Sequence, residues 1–356
     1  MLPSALQTLE YLIRRHKIHV YNNEGLILCA LPYHDTHAFV RVVQILDIRN
    51  GTWGFLEGVK VSGAPPPRMV IVQQCRRDKG VLEVPCNYAS PSKKSQPSKN
   101  VIGFCTAVFI ELLGTVVTVD DDIVKRILPF VVSGLQSGVK GLSDHKADPL
   151  MIVGLLGNKA ALASKLLNIL IRSVAEVARE EANALIDLHW FRLSLTALIN
   201  LVRSQNVQIL PIKALEILKE LRDLPGVLLE LSKEFNIEKF LVVLLDSLID
   251  CKSSGNRPDD SMTKDLFVFF ASSKFKHAFR EHLHFLAAQC SVSPARLLSN
   301  FFIDEGVPAA VRVESLQCYA FLCSLSQDKW QTELLAEFPS ILVPLAGDDQ
   351  TVRVAN

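Results

Sequence analysis

The chain has 356 residues, 49% of them apolar and 7% aromatic, with 38 basic against 37 acidic residues. That apolar share excludes a disordered tail, and a net charge of +1 excludes the whole-molecule field of a basic nucleic-acid-binding domain, so any contact with RNA must be local. Length alone admits one large domain or about two to three ordinary ones.

In chain order, the first residues, Met1-Leu2-Pro3-Ser4-Ala5-Leu6, lack the basic stretch, apolar run and cleavage site of a secretory leader, and a helix is predicted over 5–15. Next come His16, His19, His34 and His37, two His-x-x-His pairs. No cysteine or acid joins them at finger spacing and the spacing is not that of a zincin helix, so packing and helix-end contacts are expected in place of a metal. Residues 52–82 are less regular, with Trp53, Phe55 and Pro65-Pro66-Pro67. Residues 85–100 are rich in Pro, Ser and Lys and are expected to be a flexible loop.

Residues 101–119 are almost wholly apolar and about long enough to span a bilayer. Glu111 sits near their centre, where a carboxylate in lipid costs roughly 2.5–3.5 kcal/mol, so a buried helix with Glu111 exposed is predicted. Asp120-Asp121-Asp122 precedes an apolar-periodic run from Ile123. Acids at a helix start accept orphan N–H bonds and complement the dipole, which favours a cap over a metal cluster.

From Leu166 the pattern is helix after helix: Leu166, Leu170, Val174 and Val177 share one face, and Arg172, Glu176, Arg179 and Glu180 take the other. Further helices are predicted over 188–204, 209–221, 227–235 and 237–251. Pro129, Pro211, Pro225, Pro308, Pro339 and Pro344 are placed near helix starts or turns. A second loop is predicted over 252–262. Near the end, Val311-Arg312-Val313 is echoed by Val352-Arg353-Val354, and the two arginines lie 41 positions apart. That is the HEAT/armadillo period. Each arginine is expected to reach a neighbouring loop carboxylate, with Asp304 and Asp349 as candidates. The second copy stops as its second helix should begin, so the natural protein is expected to continue.

No motif for catalysis emerges. Gly-x-Ser-x-Gly, Walker A and Gly-x-Gly-x-x-Gly loops are missing, and Gly134, Gly138, Gly141, Gly154 and Gly157 are read as turns and helix ends between helices. His277, His282 and His284 have Lys274, Lys276 and Arg280 around them, which reads as a solvated basic face. The eight cysteines are scattered, several in apolar stretches, which indicates a reducing compartment. Basic patches at Arg14-Arg15-His16-Lys17, at Arg76-Arg77-Asp78-Lys79 and around Lys93, Lys94 and Lys99 are candidates for RNA phosphates or simply solvated faces.

Some residues are familiar. Residues 9–22 (Leu-Glu-Tyr-Leu-Ile-Arg-Arg-His-Lys-Ile-His-Val-Tyr-Asn), with Leu28-Cys29-Ala30-Leu31-Pro32-Tyr33-His34-Asp35-Thr36 and the run from Phe39 to Leu46, closely resemble one family. It is the U3 small-nucleolar-RNA-associated protein ten, or HEAT-repeat-containing protein one, family, and the likeness is to its N-terminal region. It is closest over 9–82 and loosens beyond, and residues 85–100 depart from the family as an insertion. The resemblance implies a component of the t-UTP (UtpA) part of the small-subunit processome, in the nucleus and nucleolus. It would support pre-ribosomal (18S) RNA processing and transcription by RNA polymerase I. Its partners would be other t-UTP proteins and, directly or not, the U3 particle and pre-rRNA.

The expectation is therefore an all-α, HEAT/armadillo-like α-solenoid of stacked antiparallel helix pairs. Residues 1–84 form an N-terminal helical region, 85–100 a loop, and 101–356 HEAT-like repeats truncated within the last one. It is a non-enzymatic scaffold with no catalytic, cofactor or metal residues, no small-molecule substrate and no membrane. Two rivals are an adaptor in transport or signalling without a nucleolar role, and an enzyme with a pocket hidden in 52–82.

Overall fold

The computed structural model describes residues 3–49, 51–90, 97–135, 147–184, 188–221, 223–253 and 309–325, with positions 335, 336, 339 and 342. Every regular element among them is a helix and none is a strand. The chain divides into two units, Met1–Gln205 and Asn206–Asn356.

The first unit opens with α1 (Pro3–Arg15), α2 (Ile18–Tyr21), α3 (Asn23–Ala30), α4 (His37–Ile45) and α5 (Glu57–Ser62). Then come α6 (Arg68–Arg77), α7 (Lys79–Ala89), α8 (Lys99–Thr115), α9 (Asp121–Leu135), α10 (Ala147–Lys159), α11 (Ser164–Ala184) and α12 (Leu188–Ser204). Several helix starts carry a side-chain cap for their orphan N–H groups: Thr36 accepts from Phe39 N (3.3 Å), Asp78 from Gly80 N (2.8 Å) and Asp120 from Ile123 N (2.9 Å).

From α6 onward the unit is a two-layer stack. Helices α6, α8, α10 and α12 pack on one another in sequence, α7, α9 and α11 form the second layer, and the two layers also pack on each other. The burial pattern shows why: in α9, Ile123, Val124, Ile127, Phe130, Val131 and Leu135 are buried, a stripe at steps of three and four wide enough to face both neighbours. Phe109 of α8 meets Phe130 of α9 edge to face, ring centroids 5.2 Å apart, inside one repeat.

Helix α7 runs through Pro85 to Ala89, and α8 begins at Lys99, so both ends of the expected 85–100 loop are helical; residues 91–96 lie outside the described residues. Pro85 forfeits one helical hydrogen bond, yet Val81, Leu82, Cys86 and Ala89 around it are buried, and their packing holds the helix together. Pro129 likewise lies inside α9 and not at a start or turn. Pro211 and Pro225 do stand at helix starts.

The second unit contains α13 (Ile212–Lys219), α14 (Leu224–Glu234), α15 (Glu238–Ser253) and α16 (Ala309–Leu325). Helices α13 and α15 pack together, and Ser247 ties α15 to the turn before α13, accepting from Leu210 N at 2.7 Å while donating to Val243 O at 2.6 Å. The second predicted loop lies almost wholly outside the described residues.

Candidate functional site

A ladder of polar contacts links successive repeats, each reaching one repeat along the chain. In the first layer Arg68 of α6 donates to Glu111 of α8 from Nε at 2.8 Å, with 43 positions between them. In the second layer Lys79 Nζ donates to Asp122 Oδ2 at 2.7 Å, again 43 positions away, and Arg126 reaches Glu83 at the same separation. The hydrogen bond from Lys79 holds the Asp122 carboxyl below its ordinary value, and Asp122 in turn raises Lys79. Asp120 combines the predicted cap with a second contact to Lys79, 3.3 Å away.

Helix C-termini are closed by the next repeat. Lys159, at the end of α10, directs all three ammonium hydrogens at the end of α8, to the carbonyls of Leu113 (2.7 Å), Gly114 (3.1 Å) and Val116 (2.8 Å). A cation there satisfies orphan carbonyls and complements the negative end of the helix dipole. One repeat later Gln205 does the same work without charge. Its Nε2 donates to Gly157 O (2.6 Å) and Ala160 O (2.7 Å), and its Oε1 accepts from Leu162 N (2.9 Å).

The glycines read as turns have a different role. Gly154 and Gly157 lie inside α10 and Gly134 inside α9. A Cβ on Gly157 would stand 3.0 Å from Leu201 Cδ1, and one on Gly134 would stand 2.9 Å from Pro149 Cγ. Gly157 and Gly134 admit a neighbouring helix at close range, while a Cβ on Gly154 would meet nothing within 4 Å; Gly138 and Gly141 lie outside the described residues.

The four early histidines do not converge. His19 Nδ1 donates to Ile13 O at 3.3 Å, His34 Nδ1 donates to Pro66 O at 2.9 Å and packs on Phe104, and His16 and His37 are exposed. Among the described residues no three His, Cys, Asp or Glu are grouped to hold a metal. Trp53 is buried against Phe55 with centroids 6.0 Å apart, so it belongs to the core. Glu111 is not simply solvated as expected: its partner Arg68 covers it, and among the described residues no helix is long and apolar enough to cross a membrane.

Cys75, Cys86 and Cys105 are buried free thiols, the first and third pushed up to about 12 by burial, which makes them inert hydrophobes. Arg312 is buried at the start of α16, while Asp304, Asp349 and Arg353 lie outside the described residues, as do Lys93, Lys94, His277, His282 and His284.

Of the basic patches, Arg76-Arg77-Asp78-Lys79 is absorbed in part: Asp78 caps α7 and Lys79 is in the ladder, while Arg76 and Arg77 are exposed. The first patch differs in the exposed rings that flank it. Arg15, His16 and Lys17 are exposed between α1 and α2, beside Tyr11, 62% exposed, and Tyr21, 80% exposed. Glu10, the acid of α1, is held between Arg41 (3.0 Å) and Arg14 (2.7 Å); the hydrogen bond from Arg41 keeps its carboxyl below the ordinary value.

The stacked repeats match known proteins. A family profile described as U3 small nucleolar RNA-associated protein 10 fits residues 123–248, across α9 to α15. A second, described as At3g06530-like, ARM repeats, fits residues 243–294. The chain belongs to the U3 small nucleolar RNA-associated protein 10 family. Among its relatives, the uncharacterized protein At3g06530 of Arabidopsis thaliana is 61% identical over 254 residues, 71% of this chain and 12% of that protein. HEAT repeat-containing protein 1 of Homo sapiens is 29% identical over 259 residues, 70% of this chain and 12% of the relative. The U3 small nucleolar RNA-associated protein 10 of Aspergillus oryzae is 29% identical over 195 residues, 51% of this chain and 11% of the relative. The chain thus spans about an eighth of the length of the relatives it matches. The family profile lies on the helical repeats, C-terminal to residues 9–82 where the motif resemblance is closest.

Proposed function

We propose that this chain is a non-catalytic scaffold segment in ribosome biogenesis, acting in the nucleolus within the small-subunit processome. The observation that carries the reading is the ladder of 43-residue contacts, in a chain whose relatives are named for HEAT repeats and for association with U3 small nucleolar RNA. Polar groups that would be candidates for chemistry are spent on register: Lys79, Asp120, Asp122, Lys159 and Gln205 each tie one repeat to the next. Such a stack recognises partners over many weak contacts on its outer surface. The partners proposed are the other t-UTP (UtpA) proteins, with the U3 particle and pre-rRNA reached directly or through them. Support of 18S rRNA processing and of RNA polymerase I transcription follows from that membership.

Affinity purification of the tagged protein tests this. U3 RNA and processome proteins should be recovered together, and depletion should reduce 18S precursors cleaved at the early sites. Recovery of transport or signalling proteins without U3 RNA would overturn it in favour of an adaptor of the same fold.

A further inference from the structure

We propose that the corner between α1 and α2 is a contact surface for single-stranded RNA, an assignment that rests on the scaffold reading for the identity of the nucleic acid. The chain there sets a run of cations between two exposed rings. Tyr11 and Arg15 are one helical turn apart on α1, and so share a face. Lys17 begins the next turn in the left-handed region, φ 52°, and accepts the Tyr21 N–H at 3.2 Å, which sets Tyr21 one turn beyond it. His19, pinned to the Ile13 carbonyl at 3.3 Å, turns inward and leaves Tyr21 outside. Rings with exposures of 62% and 80% cost apolar surface in water unless something stacks on them.

Charge decides what that is. Among the described residues of this corner, Arg15 and Lys17 have no salt-bridge partner, and Glu10, the single acid in residues 3–22, is already neutralised by Arg14 and Arg41. The surface is therefore locally basic within a chain whose net charge is +1. Bases stack on tyrosines without regard to sequence while phosphates meet the intervening cations, the arrangement of sequence-tolerant single-strand binding. Leu12 and Val20 nearby are exposed as well, so docking of a protein is the alternative outcome that the test separates.

The purified chain is titrated into a labelled, mixed-sequence single-stranded RNA at several salt concentrations, with the duplex as comparison. The double variant Tyr11→Ala, Tyr21→Ala should weaken binding by about ten-fold or more, and Tyr11→Phe, Tyr21→Phe should restore it. Arg15→Gln with Lys17→Gln should flatten the salt dependence by one to two charges' worth, about 0.7 per phosphate contact. All four positions are exposed, so circular dichroism should be unchanged. Absence of binding by the unaltered chain overturns the proposal, as does unchanged affinity in the tyrosine-to-alanine variant. So does loss of co-purifying proteins from that variant while RNA affinity holds, which would make the corner a protein-docking site. In each of these cases recovery of U3 RNA by the unaltered protein would leave the scaffold reading standing.

Discussion

A residue's neighbours here are set by the repeat it belongs to, which explains why two helical glycines of the same intrinsic character should respond oppositely to one added methyl group. Gly134 faces the rigid ring of Pro149, 2.9 Å from where a Cβ would be, whereas Gly103 on α8 is exposed with nothing within 4 Å. Gly103→Ala should stabilise by about 0.5–1 kcal/mol through helix propensity. Gly134→Ala gains the same propensity and still loses, because overpacking costs about 1–3 kcal/mol. Urea midpoints of the two variants should therefore shift in opposite directions; a stabilised Gly134→Ala would show that α10 can move away freely. The sequence hid this distinction. Gly134 and Pro149, like Gly157 and Leu201, are separated along the chain by segments that say nothing of their meeting, so both glycines look like punctuation. The prolines misled for the same reason, since Pro85 and Pro129 are kept inside helices by burial that only the packed structure reveals.

At the scale of helices, periodicity was enough. The predicted helix over 188–204 coincides with α12, and those over 237–251 and 227–235 fall within a few residues of α15 and α14, because an apolar stripe at steps of three and four has no other solution. The ladder was not legible, since Lys79 and Asp122 become partners only once the register is known; the signal that would have found it is opposite charge at a fixed separation of 43. That contact has a defined pH window. Asp122 is held below its ordinary 3.8 by the Lys79 hydrogen bond, so its stabilisation is present above that value and is lost as pH falls through the lowered one. Lys79 is raised above its ordinary 10.5 by Asp122, so its share is present below that value and lost as pH rises through the higher one. Asp122→Asn, which spares the cap from Asp120, should lower the melting temperature slightly at neutral pH. The deficit should shrink with added salt, as for any exposed pair, and vanish in strong acid and strong alkali. A deficit that persists unchanged into strong acid would mean the side chain matters for some reason other than charge.

For the molecule as a whole, a repeat period that is structural and not merely statistical makes the chain divisible at one length only. Lys159 closes α8 at Gly114, and Gln205 closes α10 at Gly157, so Gly114 and Gly157 occupy equivalent places one repeat apart. Excising residues 117–159 removes one 43-residue period, joins Val116 to Ala160, and should let α12 take the place of α10 against α8, with Gln205 presented to the carbonyl of Gly114. Because stability in such a stack is a sum of each repeat and its interface with the next, the shortened chain should keep its helical content per residue and its cooperative melting, at a lower midpoint. Excising 117–145 instead breaks the register: it leaves α10 without the α9 it packs on, and Lys159 should no longer reach the end of α8. That protein should lose cooperative melting. If both deletions melt alike, the polar ladder is incidental to the stacking, and the period read from it does not define the building unit of the scaffold.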